Sequence, residues 1–259
     1  MTYLQSALLG LIQGLTEFLP VSSSGHIQLG EALLNVQNTD SLSFTIMVHA
    51  ATMLSTVVVF HKDIAAILLG LVKRESQELR FAGYIVLSLI PAAVVFVFFN
   101  EQLESFFGED LTLVGICLLI TALLLFLTTL APAGDKPLSY GRAFLIGTAQ
   151  AIAMLPGISR SGSTISTALY LGIDKTKATQ FSFLMVIPLI LGGTLLDIMK
   201  IADQPAGTTL EFPIMAVGFL AAFIAGLIAC RAMISIVRKG KLWYFAIYCA
   251  VVGVLALLA

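Results

Sequence analysis

Charge is what this chain has least of. Only 11% of its 259 residues are charged, where a soluble domain carries about 25%. Together with 58% hydrophobic residues and a mean hydropathy of +0.99, that shortfall excludes an ordinary water-soluble domain and points to a polytopic membrane protein. Cysteine is also scarce. Cys117, Cys230 and Cys249 sit singly in apolar runs with no metal-type spacing, so they read as small packing residues. The N-terminus lacks a basic n-region and a clear cleavage site, so insertion is expected to rely on internal spans. The net charge of -1 carries no information about partners, because the charges fall in short loops. No nucleic-acid partner is expected.

Against this apolar background one polar loop occurs twice. The first copy is QGLTEFLPVSSSGH, Gln13 to His26, and the second is QAIAMLPGISRSGS, Gln150 to Ser163. A constant offset of 137 residues places Gly10 on Gly147, Gln13 on Gln150, Ser22 on Ser159, Ser24 on Ser161 and Gly25 on Gly162. Polar backbone in hydrocarbon must find partners within the protein. Two such loops at one spacing suggest a duplicated fold whose loops build a single site.

Six apolar stretches, near 43–60, 82–99, 112–131, 181–199, 213–233 and 243–258, are read as full spans, each of which takes roughly 20 residues. Four shorter helical stretches, near 3–17, 25–35, 140–154 and 162–172, flank the two polar loops in pairs. A helix, a polar turn and a second helix of this length read as a re-entrant hairpin. The expected fold is therefore all-α, a single integral membrane domain over 1–259. It comprises two repeats, about 1–133 and 138–259, each with one re-entrant hairpin and three transmembrane helices. Three spans per repeat is odd, so the second repeat is expected to insert upside down relative to the first, the inverted-topology arrangement with a site near the midplane. Basic residues in the 61–81, 132–142, 173–180 and 234–242 segments alternate with the spans so as to share one side, expected to be cytoplasmic. The 100–111 loop, acidic and without Lys or Arg, and the 200–212 loop fall on the other side, with both termini.

The residues with chemical potential concentrate in the two loops. Gln13 and Glu17 are four apart and share a helix face. A carboxylate in the context Leu15–Pro20 is costly and marks function by default, although a structural ion pair with Arg160 would also account for it. Pro20 ends one helix, and Ser22, Ser23 and Ser24 suit the N-cap of the next, where free N–H groups and the helix dipole favour an anion. Gly25 permits close backbone approach, and His26 is the ionisable group beside the serines. In the second loop, Arg160 offers a planar fork for phosphate oxygens. Gly157 and Gly162 let backbone approach, and Ser159, Ser161 and Thr164 add hydroxyls, so the loop reads as a phosphate cradle. His49 either bonds the site or bridges helices, His61 is interfacial, and Asp197 is a helix-end carboxylate. Pro91 and Pro188 are expected to kink their spans.

GLTEFLPVSSSGH followed by PGISRSGST resembles the undecaprenyl-diphosphate phosphatase family, also called the bacitracin-resistance protein family. Gln13 and Glu17 fit its first pattern, His26 its histidine, and Pro156 to Thr164 its second pattern. Gln13 stands where many members have Glu, which bears on any role needing a second carboxylate. The resemblance implies hydrolysis of undecaprenyl diphosphate to the monophosphate and inorganic phosphate, recycling the lipid carrier of cell-wall synthesis. It implies a divalent cation, usually Mg2+, with Glu17 as the candidate metal ligand. It also implies a polyprenyl diphosphate lipid as partner, a cell-membrane location and a site opening toward the periplasmic or outer face. A homodimer stays open. Within that frame Ser23 is the preferred nucleophile, with Glu17 or His26 as base. Attack by His26 and direct attack by water are the alternatives. Gln13 and the hydroxyls of Ser22, Ser24, Ser159, Ser161 and Thr164, with backbone amides, would complete the diphosphate cradle around Arg160. The competing class is a lipid-phosphate transporter, which inverted repeats also suit.

Overall fold

The computed structural model describes residues 1–36, 41–106, 111–132, 134–202 and 212–258. Among these residues the chain is all-helical, with one isolated bridge between Lys136 and Ile173. The first polar loop joins α1 (Tyr3–Phe18) to α2 (Ser23–Leu34). Then come α3 (Ser41–Val59), α4 (His61–Val72), α5 (Ser76–Ser105) and α6 (Leu111–Leu127), which runs into a 3-10 turn at Thr128–Leu130. The second polar loop joins α7 (Tyr140–Ile152) to α8 (Arg160–Tyr170). The chain continues through α9 (Lys175–Leu184), α10 (Val186–Ala202), α11 (Phe212–Arg238) and α12 (Trp243–Leu258). The helix starts Tyr3 and Tyr140, and Ser23 and Arg160, are again 137 residues apart.

Each hairpin packs first within itself, α1 on α2 and α7 on α8, and then against the other half of the chain. The first helix of one hairpin, α1, lies along α11, and its counterpart α7 lies along α5. Glycine makes both approaches possible. A β-carbon on Gly14 would sit 2.5 Å from the Ala222 carbonyl oxygen, and one on Gly147 would collide with the Ser88 carbonyl oxygen. The main core gathers Phe18, Leu118, Ile146, Ile165, Phe181, Phe183 and Met233, all at most 2% exposed. Outward faces are apolar as well: Val86, Val97, Leu123, Phe126, Ile224 and Ile228 are all more than half exposed. Apolar side chains both inside and outside are the mark of a protein whose solvent is hydrocarbon.

The six expected spans come out differently in detail. Among the described residues four helical stretches are long and apolar enough to cross a membrane: Ser76–Phe99, Leu111–Leu130, Lys175–Leu195 and Phe212–Arg238. The span expected near 43–60 is α3, which with α4 forms a pair bent by 76° and counts as a fifth only if that pair is one span. The span expected near 243–258 is α12, whose 16 residues reach about 24 Å at 1.5 Å per residue, short of a hydrocarbon core of about 30 Å. The span expected near 181–199 begins earlier, at Lys175, and breaks at Met185. Pro188 explains the break, because it cannot donate to Leu184 and its ring crowds that carbonyl. Pro91 lies inside α5, whose non-helical residue is Phe99 at φ -130°. The 61–81 segment, expected as a basic loop, contains α4 and the start of α5.

The four basic segments do gather at one end. Gln180 Nε2 donates to Asp63 Oδ1 at 2.6 Å, Arg238 Nε donates to Thr176 Oγ1 at 3.2 Å, and the Lys136 N–H donates to the Gly172 carbonyl at 2.9 Å. Of the expected acidic loop 100–111, residues 100–105 are the helical end of α5 and only 107–110 lie outside the described residues. The 200–212 loop falls largely outside them, as does the side chain of Asp197.

Candidate active site

The two polar loops meet. Ser161 Oγ donates to the Leu19 carbonyl oxygen at 3.2 Å, and a β-carbon on Gly25 would lie 3.2 Å from Gly157 Cα. Gly157 itself has φ +93° and lies against Val114 and Cys117, so no larger residue fits the turn. Each loop ends in a serine N-cap. Ser22 Oγ accepts from the Gly25 N–H at 3.3 Å, and Ser159 Oγ accepts from the Gly162 N–H at 3.1 Å. Ser22 holds φ 70°, a strained conformation for a residue with a β-carbon, next to the site. The loops thus bring together the N-termini of α2 and α8, where unpaired amides and both helix dipoles favour negative charge.

Ser23 and Arg160 are the first residues of α2 and α8, and they are counterparts at the 137-residue offset. Both reach Glu17, which is 8% exposed in the last turn of α1. Ser23 Oγ donates to Glu17 Oε2 at 2.7 Å, and Arg160 Nη2 donates to Glu17 Oε1 at 2.5 Å. Gln13 Nε2 adds a bond to Glu17 Oε2 at 3.1 Å. The carboxylate is therefore held on both oxygens. A serine hydroxyl and a carboxylate at 2.7 Å meet the distance requirement for a nucleophile and its base. Arg160 Nη1 also lies 3.5 Å from the Ser182 carbonyl oxygen.

The remaining expected residues divide. Ser22 and Ser24 hydroxyls lie 3.3 Å apart, as do those of Ser159 and Ser161, and all four residues line the same cavity of about 800 Å³ as Glu17, Ser23 and Arg160. Thr164 does not face it. Its hydroxyl pairs with Ser182 Oγ at 2.5 Å and with the Arg160 carbonyl at 2.9 Å, bracing the start of α8. His26 is not brought to Ser23. Its Nδ1 pairs with the Ser22 carbonyl at 2.8 Å and its Nε2 with the Tyr248 hydroxyl at 2.8 Å, the two rings stacked at 5.5 Å. In a helix, residues three apart share a face, but His26 is drawn to α12 instead.

Several cavity residues escaped the sequence reading of the site. Gln150, Gln28, Thr16 and Thr45 line it. His49, expected either to bond the site or to bridge helices, also lines it, with Nδ1 tied to the Thr45 carbonyl at 2.8 Å. For Gln150 the signal was available, since it is the counterpart of Gln13. Apolar side chains from α2, α3, α5 and α10, including Ile46, Phe96, Val186 and Leu189, also line the cavity, with Glu31 and Asn35 among them.

Among the described residues no group of three or more His, Cys, Asp or Glu side chains could hold a metal ion. The cavity wall carries the carboxylates of Glu17 and Glu31 and the Gln28 side chain; Gln13 is buried behind Glu17 and does not line it. Mg2+ needs only one or two protein ligands when phosphate and water supply the rest. The residues therefore suit a cation carried with a phosphate rather than a caged metal.

The chain matches the family described as bacitracin resistance protein BacA over residues 6–255. It belongs to that family. Its similar proteins include the undecaprenyl-diphosphatase of Christiangramia forsetii, 54% identical, with all of this chain and 98% of the relative covered. The undecaprenyl-diphosphatase of Bacteroides thetaiotaomicron is 52% identical over 98% of this chain and 97% of its own. That of Korarchaeum cryptofilum is 39% identical over 96% of each.

Proposed function

We propose that this chain is a membrane-embedded undecaprenyl-diphosphatase. It hydrolyses undecaprenyl diphosphate to undecaprenyl phosphate and inorganic phosphate, and so recycles the lipid carrier of cell-wall synthesis and confers bacitracin resistance. Membership of the BacA family and full-length similarity to proteins of that activity support the reading. The observation that carries it in the structure is the convergence of Ser23 and Arg160 on Glu17, in a cavity lined by both polar and apolar side chains. A diphosphate requires the first and a polyprenyl tail the second.

The mechanism proposed begins with Glu17 taking the Ser23 proton as Oγ attacks the terminal phosphorus. The bridging P–O bond breaks, and its electron pair leaves with undecaprenyl phosphate. Arg160 and the amides at the starts of α2 and α8 stabilise the charge spread over the phosphoryl oxygens. Glu17 then passes that proton to solvent. In a second step it takes a proton from an attacking water and returns it to Ser23 Oγ as the Ser23 O–P bond breaks, which releases inorganic phosphate and restores Ser23. Glu17 would help to hold Mg2+ alongside the diphosphate, where the ion would supply charge neutralisation. The position of His26 favours Ser23 over a phosphohistidine route and gives His26 a bracing part.

Two inverted repeats, a plasma-membrane location and a cavity opening to the outer face belong to the same proposal. The repeated helix starts, the reciprocal packing of α1 on α11 and α7 on α5, and the basic segments at one end support them. The test is phosphate release from undecaprenyl diphosphate by purified protein in detergent, where transport has no meaning. Wild type should release phosphate, Arg160→Ala should not, and Arg160→Lys should recover little because it lacks the bidentate fork. A wild-type protein that releases none in the presence of Mg2+ would overturn the proposal.

A further inference from the structure

Gln13 and Gln150 hold the same place in the two hairpins, and both are 0% exposed. One difference separates them. Four residues after Gln13 stands Glu17, which accepts its Nε2 at 3.1 Å. Four residues after Gln150 stands Met154, which offers no carboxylate. Among the described residues neither Nε2 nor Oε1 of Gln150 has a hydrogen-bond partner, yet the side chain lies on the wall of the cavity that holds Glu17, Ser23 and Arg160. A buried amide with nothing to bond is destabilising, and an apolar side chain of similar shape would relieve the loss. The second hairpin presents the amide without an internal partner, which leaves the amide free for a ligand. The ligand of that cavity is rich in acceptors and carries negative charge.

We infer that Gln150 is a substrate-contacting residue, its Nε2 donating a hydrogen bond to a phosphate oxygen of the bound diphosphate. The inference rests on the diphosphatase reading above. It gives the two glutamines different tasks: Gln13 steadies the base, and Gln150 binds the anion with a donor that adds no charge. A hydrogen bond from a neutral donor to a charged acceptor contributes about tenfold to a hundredfold in kcat/KM.

The test variant is Gln150→Met, which removes both polar atoms and keeps the shape. Steady-state hydrolysis of undecaprenyl diphosphate in detergent should show kcat/KM reduced about tenfold to a hundredfold. The thermal midpoint should stay at or above that of wild type, the reverse of what a structural role predicts. Gln150→Glu, which keeps the shape but faces the phosphate with an acceptor, should raise KM further. It decides the question if the Met variant fails to fold. Folded Gln150→Met with wild-type kcat/KM, or Gln150→Glu with unchanged KM, would overturn the inference. Stabilisation of each protein by inorganic diphosphate, read as a thermal shift, separates this from the enzymatic reading. A wild type that is stabilised more than Gln150→Met but hydrolyses no lipid would refute the diphosphatase and keep the anion contact. Equal shifts in the two proteins would refute the contact.

Discussion

Replacing Glu17 with Gln changes one atom and tests three bonds at once. The carboxylate accepts from Ser23 at 2.7 Å, from Arg160 at 2.5 Å and from Gln13 at 3.1 Å. A glutamine has one acceptor oxygen, so its NH2 must face a donor that the carboxylate had satisfied. Loss of a general base costs about 10²- to 10⁴-fold in rate, which corresponds to about 2.7–5.4 kcal/mol at 1.36 kcal/mol per tenfold. Breaking a buried ion pair by removing one partner costs about 3–5 kcal/mol of stability. Arg160 is 15% exposed at the cavity edge, which places the stability loss toward the lower end. The assay is phosphate release under saturating substrate, with thermal unfolding of the same samples. The reasoning predicts kcat reduced by at least a hundredfold in a protein that is still folded. A Glu17→Gln variant within tenfold of wild type would refute the assignment of Glu17 as base.

Gln13→Glu would set a second carboxylate where Nε2 now lies 3.1 Å from Glu17 Oε2. Two like charges at that distance repel unless a cation separates them. The variant should therefore show reduced activity at low Mg2+ and recovery at high Mg2+, measured as the Mg2+ concentration for half-maximal rate. An unchanged Mg2+ dependence would remove Gln13 from the cation's surroundings. For topology, cysteines introduced in the 61–81 segment should resist impermeant thiol reagents in whole cells whose outer membrane, if any, is permeabilised. Cysteines in the 100–111 loop should react, and the reverse pattern would overturn the proposed orientation.

Both hairpins were legible in the sequence because their signals are local. Stretches expected near 3–17, 25–35, 140–154 and 162–172 became α1, α2, α7 and α8, and the serine caps that start α2 and α8 could be read from Ser22 and Ser159. The helix α4 was missed because Lys62 and the Lys73-Arg74 pair suggested a basic loop, while the apolar run Ile64 to Val72 between them is helical. The start of α9 carried a readable cap. Asp174 Oδ1 accepts from the Thr176 N–H at 2.9 Å and from the Lys177 N–H at 3.2 Å, but the charges around it again suggested a loop. The Glu17–Arg160 pair was weighed as a structural alternative, and it exists. What no local signal contained was the partner of His26. Tyr248 comes from α12, and only the packing of α12 beside the first loop decides which way the imidazole turns. The break at Met185 followed from Pro188, whereas the bend between α3 and α4 has no proline to announce it.

The central chemical claim is that Ser23 attacks phosphorus. Undecaprenyl diphosphate labelled on its terminal phosphate should, after rapid acid quench, leave label on the protein as an acid-stable phosphoserine at residue 23. Ser23→Ala should carry no label and be nearly inactive, whereas His26→Gln should still be labelled at Ser23. An acid-labile phosphoenzyme lost in His26→Gln would contradict the account, as would hydrolysis with inversion at phosphorus and no labelled protein.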